Sequence, residues 1–148
     1  MSGKILPPTY LLLAMLCMIF LYFLIPVSRF IPPFWNLLGI IPLALGLLLD
    51  LRADKVFHQV GTTVKPYEES TVLVTGGLYK ISRNPMYLGF VLLLLGIAVL
   101  FGTVTPFLVV GVFAVAMDRI FISAEERMLA KKFGANWQAY KNRVGRWL

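Results

Sequence analysis

PMYLGFVLLLLGIAVLFGTVTPFLVVGVFAVAM, residues 85–117, contains no charged side chain. A helix needs about 20 apolar residues to cross a bilayer. The stretch is therefore too long for one span and too short for two complete ones. A break is legible at Gly102-Thr103-Val104-Thr105-Pro106, where Thr105 suits a helix cap and Pro106 a first helical residue. The reading is a hairpin of two shortish helices, about 85–101 and 106–122, whose charged ends stand in the interface.

Working outward, two more apolar runs precede this hairpin, about 9–27 after Pro7-Pro8 and about 34–51 after Pro32-Pro33. The polar stretch from Asp50 to Asn84 is too charged to cross lipid. After Pro106 nothing breaks the helical pattern until Gly134, which suits a helix end. Such a helix is roughly 40 Å long against a hydrocarbon core of about 30 Å. Its last turns, with Asp118, Arg119, Glu125, Glu126, Arg127, Lys131 and Lys132, then stand in the headgroup zone. A short amphipathic helix at 137–144 follows, and Trp137, Tyr140 and Trp147 are residues of interfacial type. The fold class predicted is all-α: one domain, 1–148, forming an integral membrane bundle of about four transmembrane helices.

Composition agrees. Of 148 residues, 59% are hydrophobic and 14% charged, with a mean hydropathy of +0.81. A domain this small has too little core to hide so much apolar surface from water. The net charge of +7 sits beside the apolar runs, which points to lipid headgroups and not to nucleic acid. The single Cys17 permits no disulfide within one chain, and the first run is too long for a cleavable signal sequence. The connection after the first span carries only Arg29 and the 102–105 turn carries no cation. The 50–84 stretch holds Arg52, Lys55, Lys65, Lys80 and Arg83. With Lys4 at one end and a basic tail at the other, both termini and the polar clusters are expected on the cytoplasmic side.

Two polar clusters abut the membrane there. The first is the 76–89 block, in which Asn84 reads as a helix cap and Pro85 as the first helical residue. Free N–H groups at that helix start, with Arg83 beside them, would suit a carboxylate or phosphate; the alternative is a plain cap with Arg83 on lipid phosphate. The second is Glu125-Glu126. Adjacent helical residues point about 100° apart, so one of the two is expected to face the bundle. Asp118 and Glu125 stand a heptad apart, as do Arg119 and Glu126, so each pair is expected to share a face. Either the inward carboxylate binds a cationic ligand or it pairs with Arg119 or Arg83. The lone His58 makes no metal site, and none is expected.

At these clusters the sequence resembles the isoprenylcysteine carboxyl methyltransferase and phospholipid methyltransferase group. The first family block is matched by Gly77, Tyr79, Arg83, Asn84, Pro85, Tyr87 and Gly89. The second is matched by Glu125, Glu126, Leu129, Phe133 and Gly134, with Tyr140 and Val144 beyond. The likeness covers about 61–144. It departs from the pattern at Asn84, where the family has His, and at Gly145, where Pro is usual. The resemblance implies S-adenosylmethionine as cofactor, bound in the region 76–148. It implies Gly77, Tyr79, Arg83, Asn84, Pro85, Tyr87, Leu88, Glu125 and Glu126 as the cofactor-binding set, with Arg83 and Glu125 in the catalytic role. Arg83 and the N–H groups at Asn84-Pro85 would hold the carboxylate, and Glu125 or Glu126 would meet the ammonium or the ribose hydroxyls, Glu125 being the favoured contact and Glu126 the brace. The acceptor implied is a lipophilic molecule or lipid, carrying a thiol, carboxylate or amine, that enters from the bilayer. A non-catalytic membrane scaffold with the same bundle is the other reading. Gly89, Gly96 and Gly111 would allow close helix packing within a chain or between copies.

Overall fold

The computed structural model describes residues 6–25, 28–61 and 71–148. Lys4, Lys65 and the expected end of the first span at Val27 lie outside the described residues. Helix α1 is Pro7–Leu24, with proline in its first turn. A 3-10 turn, Trp35–Gly39, leads into α2, Ile40–Val60. A second 3-10 turn, Gly77–Lys80, precedes α3, Pro85–Phe101. Then come α4, Val104–Ala116, a π-helical segment, Met117–Ile122, and α5, Ser123–Lys141. Among the described residues no strand forms beyond one isolated antiparallel bridge.

The helical bundle is thus as read from the sequence, with local differences. Three helical stretches are long and apolar enough to cross a membrane: Pro7–Leu24, Trp35–Val56 and Val104–Lys141. The fourth, α3, has 17 residues. Helix α2 runs past the expected end at 51 to Val60, because charge ends a lipid span without ending a helix. Asp54 and His58 sit on its exposed last turns. Helix α4 begins two residues before Pro106, with Thr103 and not Thr105 at the cap position. Neither threonine hydroxyl caps the helix, and both are buried without a hydrogen-bond partner among the described residues.

Helix α3 is the axle of the bundle. Tyr87, Phe90, Leu94 and Ala98 on it are buried with Met18 of α1, Val110 and Phe113 of α4, and Met117, Phe121 and Ile122 of the π segment. Its other face meets α2 along a glycine seam. A Cβ on Gly46 would stand 2.6 Å from the Gly89 carbonyl oxygen, and one on Gly96 would stand 2.6 Å from that of Gly39. The backbones therefore touch, and only glycine permits that approach. The outer faces carry Phe20, Phe23, Leu45, Leu108, Val112 and Val115, all exposed, as a lipid-facing surface should.

The two ends of the bundle differ. At one, the backbones of Arg29 and Thr103 pair, and Phe30 N–H donates to the Gly102 carbonyl at 3.0 Å. Both poorly charged turns are thus at the same end. At the other, a small core of Tyr79, Trp137, Tyr140 and Val144 packs with Val56, Leu129 and Phe133. Helix α5 breaks at Gly134 (φ 49°, ψ −117°) and resumes to Lys141, which turns Trp137 and Tyr140 into this core.

Candidate active site

The site is assembled from three pieces of chain at that second end. The 3-10 turn begins at Gly77, whose φ of 58° lies in the left-handed region. The turn buries Tyr79, whose carbonyl oxygen accepts the Tyr140 hydroxyl at 2.6 Å. Burial pushes the Tyr79 phenol well above its ordinary value, and Tyr140 and Glu125 nearby push it the same way. Gly77 itself is exposed, and Leu88 is half-buried.

Asn84 occupies the cap position of α3 and Pro85 the first helical position, as the sequence suggests. The side chain of Asn84, however, does not cap the helix. Its Nδ2 donates to the Arg146 carbonyl at 3.0 Å, while its own N–H is held by Ser82 Oγ at 3.1 Å. The first-turn amides of α3 are thus left without a side-chain acceptor.

Arg83 lies beside them. Its side chain is 8% exposed, and Nη1 stands 3.0 Å from Glu126 Oε1. Its guanidinium carbon is 5.6 Å from the centre of the Trp137 ring. Even so, Nε and Nη1 are buried and neither is aligned to donate a hydrogen bond to any of the described residues.

The two glutamates both turn inward, against the expectation that only one would. Glu126 is buried and pairs with Arg83 and Arg146. Glu125 accepts the Tyr87 hydroxyl at 2.6 Å, and the Tyr87 ring stacks on Phe121. The expected heptad pairs also fail. The π segment admits one extra residue before Ser123, whose N–H and Oγ both donate to the Asp118 carbonyl. Asp118 therefore shares a side with Glu126 and not with Glu125. Arg119 is exposed, and Glu126 pairs with Arg83 and Arg146 instead.

Arg146 is the residue that sequence reasoning missed. Its Nη1 donates to both Asp118 carboxylate oxygens, at 3.0 and 3.1 Å. Its Nε and Nη2 donate to Glu126, at 3.2 and 2.5 Å. The Glu126 hydrogen bonds hold this guanidinium above even its ordinary high value. Its carbonyl oxygen receives Asn84, and the carbonyl oxygen of Gly145 receives the Arg83 N–H at 3.0 Å. Residues 144–147 are therefore a clasp joining the 82–84 loop to α5. In sequence, nothing separates Arg146 from the basic Lys141 and Arg143. Beside the clasp, Ala114, Val115, Asp118, Arg119 and Trp147 line an open groove of about 320 Å³ on the α4 side.

The family model described as phospholipid methyltransferase matches residues 34–136, which spans α2, the site loop, α3, α4 and α5 as far as its kink. The chain belongs to the phospholipid methyltransferase family. An uncharacterized protein of Haemophilus influenzae is 36% identical over 63 residues, covering 43% of this chain and 100% of that protein. No solved structure matches. Family membership makes methyl transfer to membrane substrates the activity to be accounted for. As a phospholipid methyltransferase family member, the chain brings Arg83, Asn84, Tyr87, Glu125 and Glu126 to one end of the bundle. Pro85 is the buried first residue of α3, and Gly89 its point of contact with α2.

Proposed function

We propose that this protein transfers a methyl group from S-adenosylmethionine to a lipophilic acceptor at the cytoplasmic face of a membrane. The observation that carries the reading is Arg83. A guanidinium that is 8% exposed, whose Nη1 meets the Glu126 carboxylate as an ion pair and whose buried Nε has no hydrogen-bond partner among the described residues, costs stability unless a further acceptor arrives. It stands next to the uncapped start of α3, a second place that favours negative charge. The carboxylate of an amino-acid group meets both requirements.

The residues present fit the rest of the cofactor. Tyr79 and Tyr87 offer aromatic faces to a sulfonium or adenosine, and Glu125 offers acceptors to ribose hydroxyls or an ammonium. Gly77 and Leu88 lie on the segments that carry these tyrosines. Bound there, S-adenosylmethionine supplies an electrophilic methyl group. The chain's own part is to hold and orient, and to keep water out with the buried core under Tyr79 and Trp137. A thiolate or carboxylate acceptor needs no general base, which accords with a site built around an arginine and glutamates without a catalytic dyad. The groove beside Val115 and Trp147 opens on the lipid-facing side of α4, a route for an acceptor with an apolar tail.

Protein in lipid nanodiscs, supplied with methyl-labelled S-adenosylmethionine and a membrane lipid extract, should move label into the organic phase. Arg83→Ala should reduce this while the protein stays folded. A folded protein that binds neither S-adenosylmethionine nor its demethylated product would be the scaffold, and the proposal would be wrong.

A further inference from the structure

Asp50 lies on α2 where that helix leaves the apolar run. Its Oδ1 is buried and has no hydrogen-bond partner among the described residues. The carboxyl group lies against Gly89 of α3, in the space a Cβ there would fill. The glycine of the Tyr87-Leu88-Gly89 motif is therefore a cradle for a carboxyl group from the neighbouring helix. Ala53, one turn further along the same face of α2, is fully buried. A buried acceptor left unfilled at the edge of a site is costly, and persists only where a ligand or a structural partner repays it.

Resting on the cofactor reading above, we infer that Asp50 receives the ammonium group of the bound amino-acid moiety. Elimination and spacing both support the assignment. Glu126 and Asp118 are already matched by Arg83 and Arg146. Glu125 is engaged by Tyr87. Asp54 is exposed beside His58. Among the described residues, Asp50 alone keeps a buried carboxylate oxygen unmatched. Spacing adds a second argument. The ammonium and carboxylate of an α-amino acid share one carbon, so their partners must stand within a few ångströms of each other. Gly89, which cradles Asp50, lies four residues beyond Pro85 at the anion-favouring helix start, a rise of about 6 Å. A ligand with its carboxylate on Arg83 and the α3 amides would bring its ammonium toward that turn. This moves to Asp50 the ammonium role that the resemblance offered to Glu125 or Glu126, and leaves Glu125 for the ribose.

Calorimetry in detergent with S-adenosylhomocysteine and its deaminated analogue tests the assignment. Wild-type protein should bind the parent compound about ten- to hundredfold more tightly than the analogue, the worth of one charge-assisted hydrogen bond. Asp50→Asn should bind the two within about twofold of each other. If Asp50→Asn does not fold, Asp50→Ser is put through the same comparison. A wild type that discriminates, with a variant that discriminates equally, overturns the Asp50 assignment and leaves the cofactor reading intact. A wild type that binds the parent compound but does not prefer it over the analogue overturns the assignment too. A wild type that binds neither compound overturns the cofactor reading and this inference with it.

Discussion

Replacing Arg146 with alanine tests the clasp directly. The side chain is 34% exposed, and its partners Glu126 and Asp118 are 10% and 22% exposed. The Asp118 half is a partly solvated pair, for which about 0.5–1 kcal/mol is reasonable. The Glu126 half is deeper, but Glu126 keeps Arg83 as a partner after the substitution. Its loss should therefore fall below the roughly 3–5 kcal/mol of a fully broken buried pair, at about 1.5–2 kcal/mol. The sum is about 2–3 kcal/mol. For a domain of this size that lowers the melting temperature by about 5–10 °C. Thermal unfolding in detergent measures it. Arg143→Ala is the control, because among the described residues that exposed side chain reaches only the Ala139 carbonyl. Arg146→Lys should recover part of the loss, since one ammonium cannot serve both carboxylates in forked geometry. If Arg146→Ala melts within about 2 °C of the Arg143→Ala control, the clasp contributes nothing measurable and the reasoning fails.

Four further outcomes are expected. Arg83→Ala should weaken S-adenosylmethionine binding about ten- to hundredfold by calorimetry, and an unchanged affinity in folded protein would remove Arg83 from the site. Glu126→Gln should destabilise by about 2–3 kcal/mol, since Arg83 loses its charged partner and Arg146 loses one of its two, while Glu125→Gln should keep its melting temperature and lose methyl transfer; equal stability losses in both would refute that division. Gly46→Ala should cost about 1–3 kcal/mol through backbone contact with Gly89, whereas Gly111→Ala, with open space around it, should be neutral or better by thermal unfolding. In a Cys17→Ser background, a cysteine at the exposed Val104, in the same turn as the buried Thr103, should be labelled by an impermeant thiol reagent from outside intact cells; labelling only after cell disruption would invert the orientation.

The bundle was legible because its signals are long and redundant. An uncharged run of residues 85–117 with Gly102 and Pro106 in its middle admits few structures besides a helical hairpin. The break at Gly134 and the cap position of Asn84 before Pro85 were legible for the same local reasons. The side chains were less so. A cap residue's oxygen and amide are equally present in the sequence, and only the arrival of the Arg146 carbonyl decides which is used. The reach of α2 to Val60 was missed because hydropathy marks where lipid ends and not where helix ends.

The carboxylate geometry shows why the remainder was hidden. Under a regular 3.6-residue turn, residues 118 and 125 stand about 20° apart, and 118 and 126 about 80° apart. One guanidinium cannot conveniently span the second pair. The π segment at Met117–Ile122 consumes a residue without completing a further α turn, so Asp118 and Glu126 come into register and Arg146 reaches both. The same shift lets Glu125 swing toward Tyr87, so two adjacent glutamates serve two different partners. Nothing in Met117-Asp118-Arg119-Ile120-Phe121-Ile122 announces this, since each residue there is an ordinary helix or interface residue. The irregularity is sustained by what surrounds it. Met117, Phe121 and Ile122 are all buried against α3 and α1, and Asp118 is fixed from outside by Arg146. A helix phase shift of one residue thus separates the expected heptad pairs, Asp118 with Glu125 and Arg119 with Glu126, from the observed partners, Tyr87 for Glu125 and Arg83 with Arg146 for Glu126.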